Sequence, residues 1–196
     1  MGFHCARWCY GIFTVLISQL VIINMAYSEQ QNISVNVTAN LIENSCKFSF
    51  SDSGVIDLGK QSISSIEDTD SFTNYIGHGQ SFTINVSNCP SLDNDEISKL
   101  IFNFSPQSGS FPVESSQVFA NEVSATDGGA TGVGLVIFAE PQDQNVLDKS
   151  GQSNVAFDVT TGDYLNSYNF SARLQKINTI TEGDFTTHVT VEVTYE

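Results

Sequence analysis

The stretch ISVNVTANLIENSC, running from Ile33 to Cys46, decides the fold. Ile33, Val35, Val37, Ala39 and Leu41 alternate with Ser34, Asn36, Thr38 and Asn40. Side chains in a strand point to opposite faces in turn, so this pattern predicts an extended segment with one apolar and one polar face. Ala39 makes the fourth apolar position small. The segment lies ahead of Cys46, the first cysteine of the folded part. An apolar-faced strand in that place either pairs within its own sheet or is lent to another molecule. The reading adopted is that it is lent.

Residues before this strand read as a leader. Met1–Trp8 carries Arg7 and no acid, Tyr10–Ile23 is apolar apart from Thr14, Ser18 and Gln19, and Ala26-Tyr27-Ser28 is mostly small. This is the three-part plan of a secretory signal peptide, removed before Glu29. A transmembrane anchor would need roughly 20 apolar residues, and this run is shorter and broken by Gln19. Cys5 and Cys9 would leave with residues 1–28, so no direct membrane insertion is expected after cleavage.

About 168 residues then remain, enough for one domain with a real core. They hold two cysteines, Cys46 and Cys89, which in an exported chain read as one disulfide. Their spacing suits neither a zinc site nor a C-x-x-C redox pair, and no metal site is expected. The whole chain has 7 Lys and Arg against 22 Asp and Glu; taking away Arg7 leaves six, for a formal charge of −16. A chain so acidic repels nucleic acid and anionic membrane. Its charges are scattered, as on a solvated surface.

Downstream, alternation recurs. Strands are predicted at Lys47–Phe50, Val55–Leu58, Ser81–Ser87, Leu100–Phe104, Gln117–Phe119, Val133–Ala139, Val155–Val159, Tyr168–Leu174 and Thr186–Tyr195. Turn-forming runs such as Ser51-Asp52-Ser53-Gly54 and Asp127-Gly128-Gly129 separate them. No helical period persists over three turns, although Ser62–Asp70 could make one short turn of helix. Many short strands and one disulfide predict an all-β, immunoglobulin-like sandwich. The single Trp, Trp8, lies in the leader, so no Trp can pack on the disulfide as it does in antibody domains.

Taken in order, these segments resemble the subunits of chaperone–usher pili, closest to the minor or adaptor subunits of type 1 fimbriae. The leader strand ending at Cys46 is similar to the family's N-terminal donor strand. Val55-Ile56-Asp57-Leu58-Gly59 resembles the hydrophobic-Asp-Leu-Gly motif after the first cysteine, and Phe82–Pro90 the strand that delivers the second. Gly132–Ile137 resembles a "GVGIQI" strand, followed by Asn145-Val146-Leu147. Asn169–Leu174 resembles an "F-x-A-R" strand. Gly183-Asp184-Phe185 and the alternation to Tyr195-Glu196 resemble the terminal strand with its penultimate Tyr. The likeness covers nearly all of residues 29–196.

The resemblance implies a sandwich that lacks its last strand, with an N-terminal donor-strand extension at residues 29–43 and a pilin domain at 44–196. Ile33, Val35, Val37, Ala39 and Leu41 would fill successive pockets in a neighbouring subunit. Gly183, Val189, Val191, Val193 and Tyr195 would mark the groove-edge strand, which a periplasmic chaperone engages while its basic residues capture the C-terminal carboxylate. An outer-membrane usher would then place the subunit in an extracellular fimbria that supports cell adhesion. Two rivals stand beside this reading: a closed monomeric immunoglobulin-like secreted binding module, and a lectin-like tip subunit.

An enzyme reading has little to rest on, and no cofactor is implied. His78 and His188 sit in unrelated contexts, and no nucleophile elbow, zincin motif or phosphate loop is present. Asp93-Asn94-Asp95-Glu96 lacks the Gly and later Glu of a calcium loop. Five N-x-[ST] sequons, at Asn32, Asn36, Asn85, Asn103 and Asn169, are what a chain rich in Asn, Ser and Thr produces by chance.

Overall fold

Runs with a two-residue period become strands, and their apolar sets meet in the middle of a sandwich. The computed structural model describes residues 33–39, 46–68, 79–89, 97–160 and 164–196. The expected leader (1–28), Leu41, His78 and Asp93–Glu96 lie outside the described residues. Among the described residues ten strands follow in order: β1 Ile33–Ala39, β2 Lys47–Phe50, β3 Val55–Asp57, β4 Gln80–Asn88, β5 Lys99–Pro106, β6 Val133–Ala139, β7 Gln144–Asn145, β8 Val155–Asp158, β9 Ser167–Lys176 and β10 Phe185–Tyr195. Among the described residues the helical content is three single 3₁₀ turns, one of them Ile63–Ser65 where a short turn was expected.

The strands form two five-stranded sheets, ordered β3-β1-β10-β5-β8 and β2-β4-β9-β6-β7. All described strand-to-strand pairings are antiparallel except β1 with β10, which is parallel; an isolated bridge between Gly129 and Asp184 is also parallel. Phe102 and Phe104 of β5 in the first sheet reach Phe170 of β9 in the second, at 5.4 and 5.1 Å between ring centroids. Phe82 stacks on the same ring at 5.6 Å, and Phe157 meets it edge-on at 6.0 Å. These rings fill the centre that a Trp fills in antibody domains, and aromatic pairs add to the area that they bury.

Cys46 and Cys89 are bonded, as the sequence predicts, and both are buried. The bond ties the start of β2 to the end of β4, its neighbour in the second sheet. Closing a loop across a separation of 43 residues is worth roughly 4 kcal/mol on the chain-entropy model.

Two expectations need correction. Gln117–Phe119 is not a strand; only Phe119 bridges to Leu135, through a reciprocal pair of backbone bonds. The Gln117 amide instead bonds the Ser115 hydroxyl, which keeps the preceding residues in a turn. Strand β6 is buried on both faces rather than one. Leu135 and Ile137 face the main core, while Val136 and Phe138 form a second apolar cluster with Val118 and Ile177. Gly134 makes room for that layer, since a Cβ there would lie 2.4 Å from the Val118 side chain. The Arg173 guanidinium, buried on the same side, lies 5.0 Å from the Phe138 ring centroid.

Candidate functional site

The site is the place of β1 in the first sheet. On one side β1 pairs with β3, with Val35 opposite Ile56. On the other it runs beside β10 for seven residues, from Ile33 opposite Phe185 to Ala39 opposite Val191. Without β1, the facing edges of β3 and β10 would expose their backbone donors and acceptors to water, and a furrow would open onto the core. Val35 is 0% exposed and Val37 5%, while Ser34, Asn36 and Thr38 stay on the open face. Burying two valines contributes roughly 3–6 kcal/mol gross.

One edge of this furrow comes from β10. Val189, Val191 and Val193 are fully buried in the core, and Tyr195 packs against it half-exposed. These are the residues that the sequence marks as the groove edge. Gly183 lies two residues ahead of β10 and plays another part. Its φ is +155°, and a Cβ there would lie 2.3 Å from the Ala130 nitrogen. That contact lets the 128–130 segment cross over the start of β10, where Asp184 exchanges backbone bonds with Gly128 and Ala130. Asn121 secures the crossing, donating to the carbonyls of Ala130 and Asp184 and accepting from the Thr186 amide.

The opposite wall is the Ser51–Gly54 turn. Val37 N–H donates to the Gly54 carbonyl at 2.7 Å. Gly54 has φ +75°, and a Cβ on it would come within 2.5 Å of the Val37 carbonyl oxygen. Only glycine meets both demands, so the turn is shaped to receive a backbone at this place.

One polar cluster went unread in the sequence. His188 Nδ1 lies 2.6 Å from Glu122 Oε2, the His188 amide donates to Glu122 Oε1, and His188 Nε2 lies 3.0 Å from Asn36 Nδ2. With the ring proton donated to Glu122, Nε2 is left to accept from the Asn36 amide. The alternation of β10 did place His188 on its polar side. Its link to Asn36 needs the parallel register, which no local pattern reveals. The C-terminus is also held: the Glu196 carbonyl oxygen accepts from the amides of Ser98 at 2.7 Å and Lys99 at 3.0 Å.

The strand that the sequence marks for lending therefore sits, in this structure, in the chain's own sheet. The model of the family described as "fimbrial protein" matches residues 32–196. This chain belongs to that family.

As a fimbrial protein it is 35% identical over 170 residues to the uncharacterized fimbrial-like protein YadK of Escherichia coli strain K12, covering 83% of this chain and 84% of the relative. A solved structure, the CupB6 tip adhesin from Pseudomonas aeruginosa, aligns over 79% of this chain and 42% of its own length, at 16% identity and a TM-score of 0.44. Membership in a family of fimbrial subunits implies association with other pilin subunits in a surface fimbria.

Proposed function

We propose that this fimbrial protein is a structural subunit that joins its neighbours by donor-strand exchange, lending Ile33–Leu41 to the furrow of the next subunit and supporting cell adhesion through the fibre. One observation carries the reading. Strand β1 is the one described element of either sheet that precedes the disulfide-closed part of the chain, and it occupies a complete seat between β3 and β10. It can leave without unthreading any other strand. A periplasmic chaperone and an outer-membrane usher fit the same reading, because an emptied furrow has to be covered during export.

The direction of β1 supplies a driving force. Six residues, 40–45, separate it from Cys46. Reversing it would carry Ala39 roughly 20 Å along the sheet, close to the full reach of such a tether. The chain's own strand thus takes the parallel direction, whose bonds are slanted and slightly weaker than antiparallel ones. A strand from another subunit has no such tether and is free to run antiparallel.

A second reading rests on the same seat: with β1 in place the sandwich is closed, and the chain is a monomeric binding module. Thermal unfolding of two altered chains separates the readings. One lacks Glu29–Leu41; the other lacks it too but carries Gln31–Glu43 after Glu196 on a flexible linker, which returns the strand antiparallel to β10. Subunit exchange expects the first to aggregate or melt low and the second to melt well above the intact protein, whereas a closed module expects the second to melt no higher than the intact protein. A first chain that melts like the intact protein means that β1 is dispensable, and the proposal fails.

A further inference from the structure

The outer face of the first sheet carries a second feature, a cleft of about 600 Å³ away from the β1 seat. Its floor is set by strand register: Asn103 lies opposite Glu192 and Ser105 opposite Thr190 across β5 and β10. All four lie on the alternate positions that point away from the core, and each retains solvent exposure. Two loops raise the walls, one carrying Gly109 and Phe111 and the other Gly151, Gln152 and Ser153.

These walls are built rather than loose. Gly151 has φ +79°, and a Cβ there would lie 2.9 Å from the Phe111 ring, so the ring rests directly on the glycine backbone. Asp148 Oδ1 accepts from the Ser150 amide, the Ser150 hydroxyl and the Gln152 amide at 2.8, 2.7 and 2.9 Å. That network fixes the loop that carries Gln152 and Ser153. The Ser153 hydroxyl is buried at the cleft without a hydrogen-bond partner, an uncommon state for a polar group.

The lining selects a chemistry. It contains one carboxylate, from Glu192, and no Lys or Arg, so an anion finds repulsion and no compensating charge. One carboxylate is too few for a divalent cation that wants six or more oxygen ligands. Amide and hydroxyl groups converge beside the half-buried Phe111 ring, which suits a ligand with many hydroxyls and one apolar face. We infer that this cleft binds a neutral pyranose sugar, its hydroxyls met by Asn103, Ser105, Thr190 and Glu192 and its apolar ring face resting on Phe111.

Ligand-observed NMR together with ¹H–¹⁵N spectra of the full chain tests this, with methyl α-mannopyranoside, methyl β-galactopyranoside and N-acetylglucosamine as probes. N-acetylneuraminic acid, which adds a carboxylate to similar hydroxyls, is the charged control. At least one neutral probe should bind, shift the amide signals of Gly109 and Gly151, and outcompete the charged control. Glu192→Ala should weaken that binding by about tenfold, the usual loss for a hydrogen bond to a charged partner, and Asn103→Ala, which removes a neutral hydrogen bond, by roughly threefold. Ser105→Ala, at an exposed position of the same floor, replaces either variant that unfolds. An oligosaccharide ending in the bound sugar, compared with the free sugar, separates a glycan terminus from a soluble monosaccharide as the source. Absence of binding by all three neutral probes overturns the inference. Binding that these variants leave unchanged overturns the site.

Discussion

Asn36 Nδ2 and His188 Nε2, 3.0 Å apart, link the polar face of β1 to β10 from residues 152 positions apart in the chain. Glu122 holds the other side of the His188 ring, so the imidazole reaches Asn36 in a fixed orientation. Asn36→Ala should cost about 0.5–1.5 kcal/mol, the net worth of one hydrogen bond, because Val35 and Val37 still seat the strand. Urea unfolding of Asn36→Ala, His188→Ala and the double variant measures the coupling. Strictly additive costs would mean that the two side chains do not interact in solution.

Gly54 and Gly59 offer a matched pair. Both have positive φ, +75° and +61°, but a Cβ at Gly59 meets open space while one at Gly54 meets the Val37 carbonyl at 2.5 Å. Gly59→Ala should cost about 1–2 kcal/mol, from backbone conformation alone. Gly54→Ala carries that cost and also pushes β1 outward. It should therefore destabilise more, and amide exchange should accelerate at Val35 and Val37. Equal losses for both variants in thermal unfolding would show that β1 does not press on the turn.

Phe170 touches rings from both sheets, and its truncation should open the centre of the sandwich. Phe170→Ala is expected to cost about 3–5 kcal/mol, typical of a large buried aromatic. Phe50, half-exposed at the end of β2, should cost clearly less on the same change. Chemical unfolding of the two variants checks the ranking.

Much of this architecture was legible because its signals are local. Alternation in Phe82/Ile84/Val86 and Val189/Val191/Val193 marks a buried face wherever one side of a strand meets solvent, and the lone cysteine pair leaves one pairing. Strand β6 escaped that logic: Val136 and Phe138 break no rule of composition, but a second layer over them depends on Val118 arriving from a distant loop. The neighbour of β1 was illegible for a related reason. An apolar face at Val35 and Val37 says that the strand is buried and not by whom, since its own furrow and a partner's present the same chemistry. The cleft was illegible because Asn103 and Glu192 are ordinary polar positions until the register of β5 and β10 sets them opposite each other.

Asp148 gives the cleft a pH dependence that can be worked out in advance. Its carboxyl is held below its ordinary value of 3.8 by the Ser150 hydroxyl first, then by the amides of Gln152 and Ser150. A carboxylate depressed in the folded state steadies its surroundings fully above the ordinary value, and that contribution is lost as pH falls through the depressed one. The loop carrying Gly151, Gln152 and Ser153 should therefore be ordered at neutral pH and loosen only in strong acid, below 3.8. Backbone amide shifts of Ser150 and Gln152, followed by NMR down the acid range, should titrate together with a midpoint under that value. Asp148→Asn should abolish the titration and leave the loop less protected from amide exchange already at pH 7, because a neutral amide oxygen accepts these bonds more weakly than a carboxylate. The group is solvent-exposed, so global stability should barely move, while the walls of the cleft should. A titration centred above 3.8 would show that the three hydrogen bonds to Asp148 do not hold in solution.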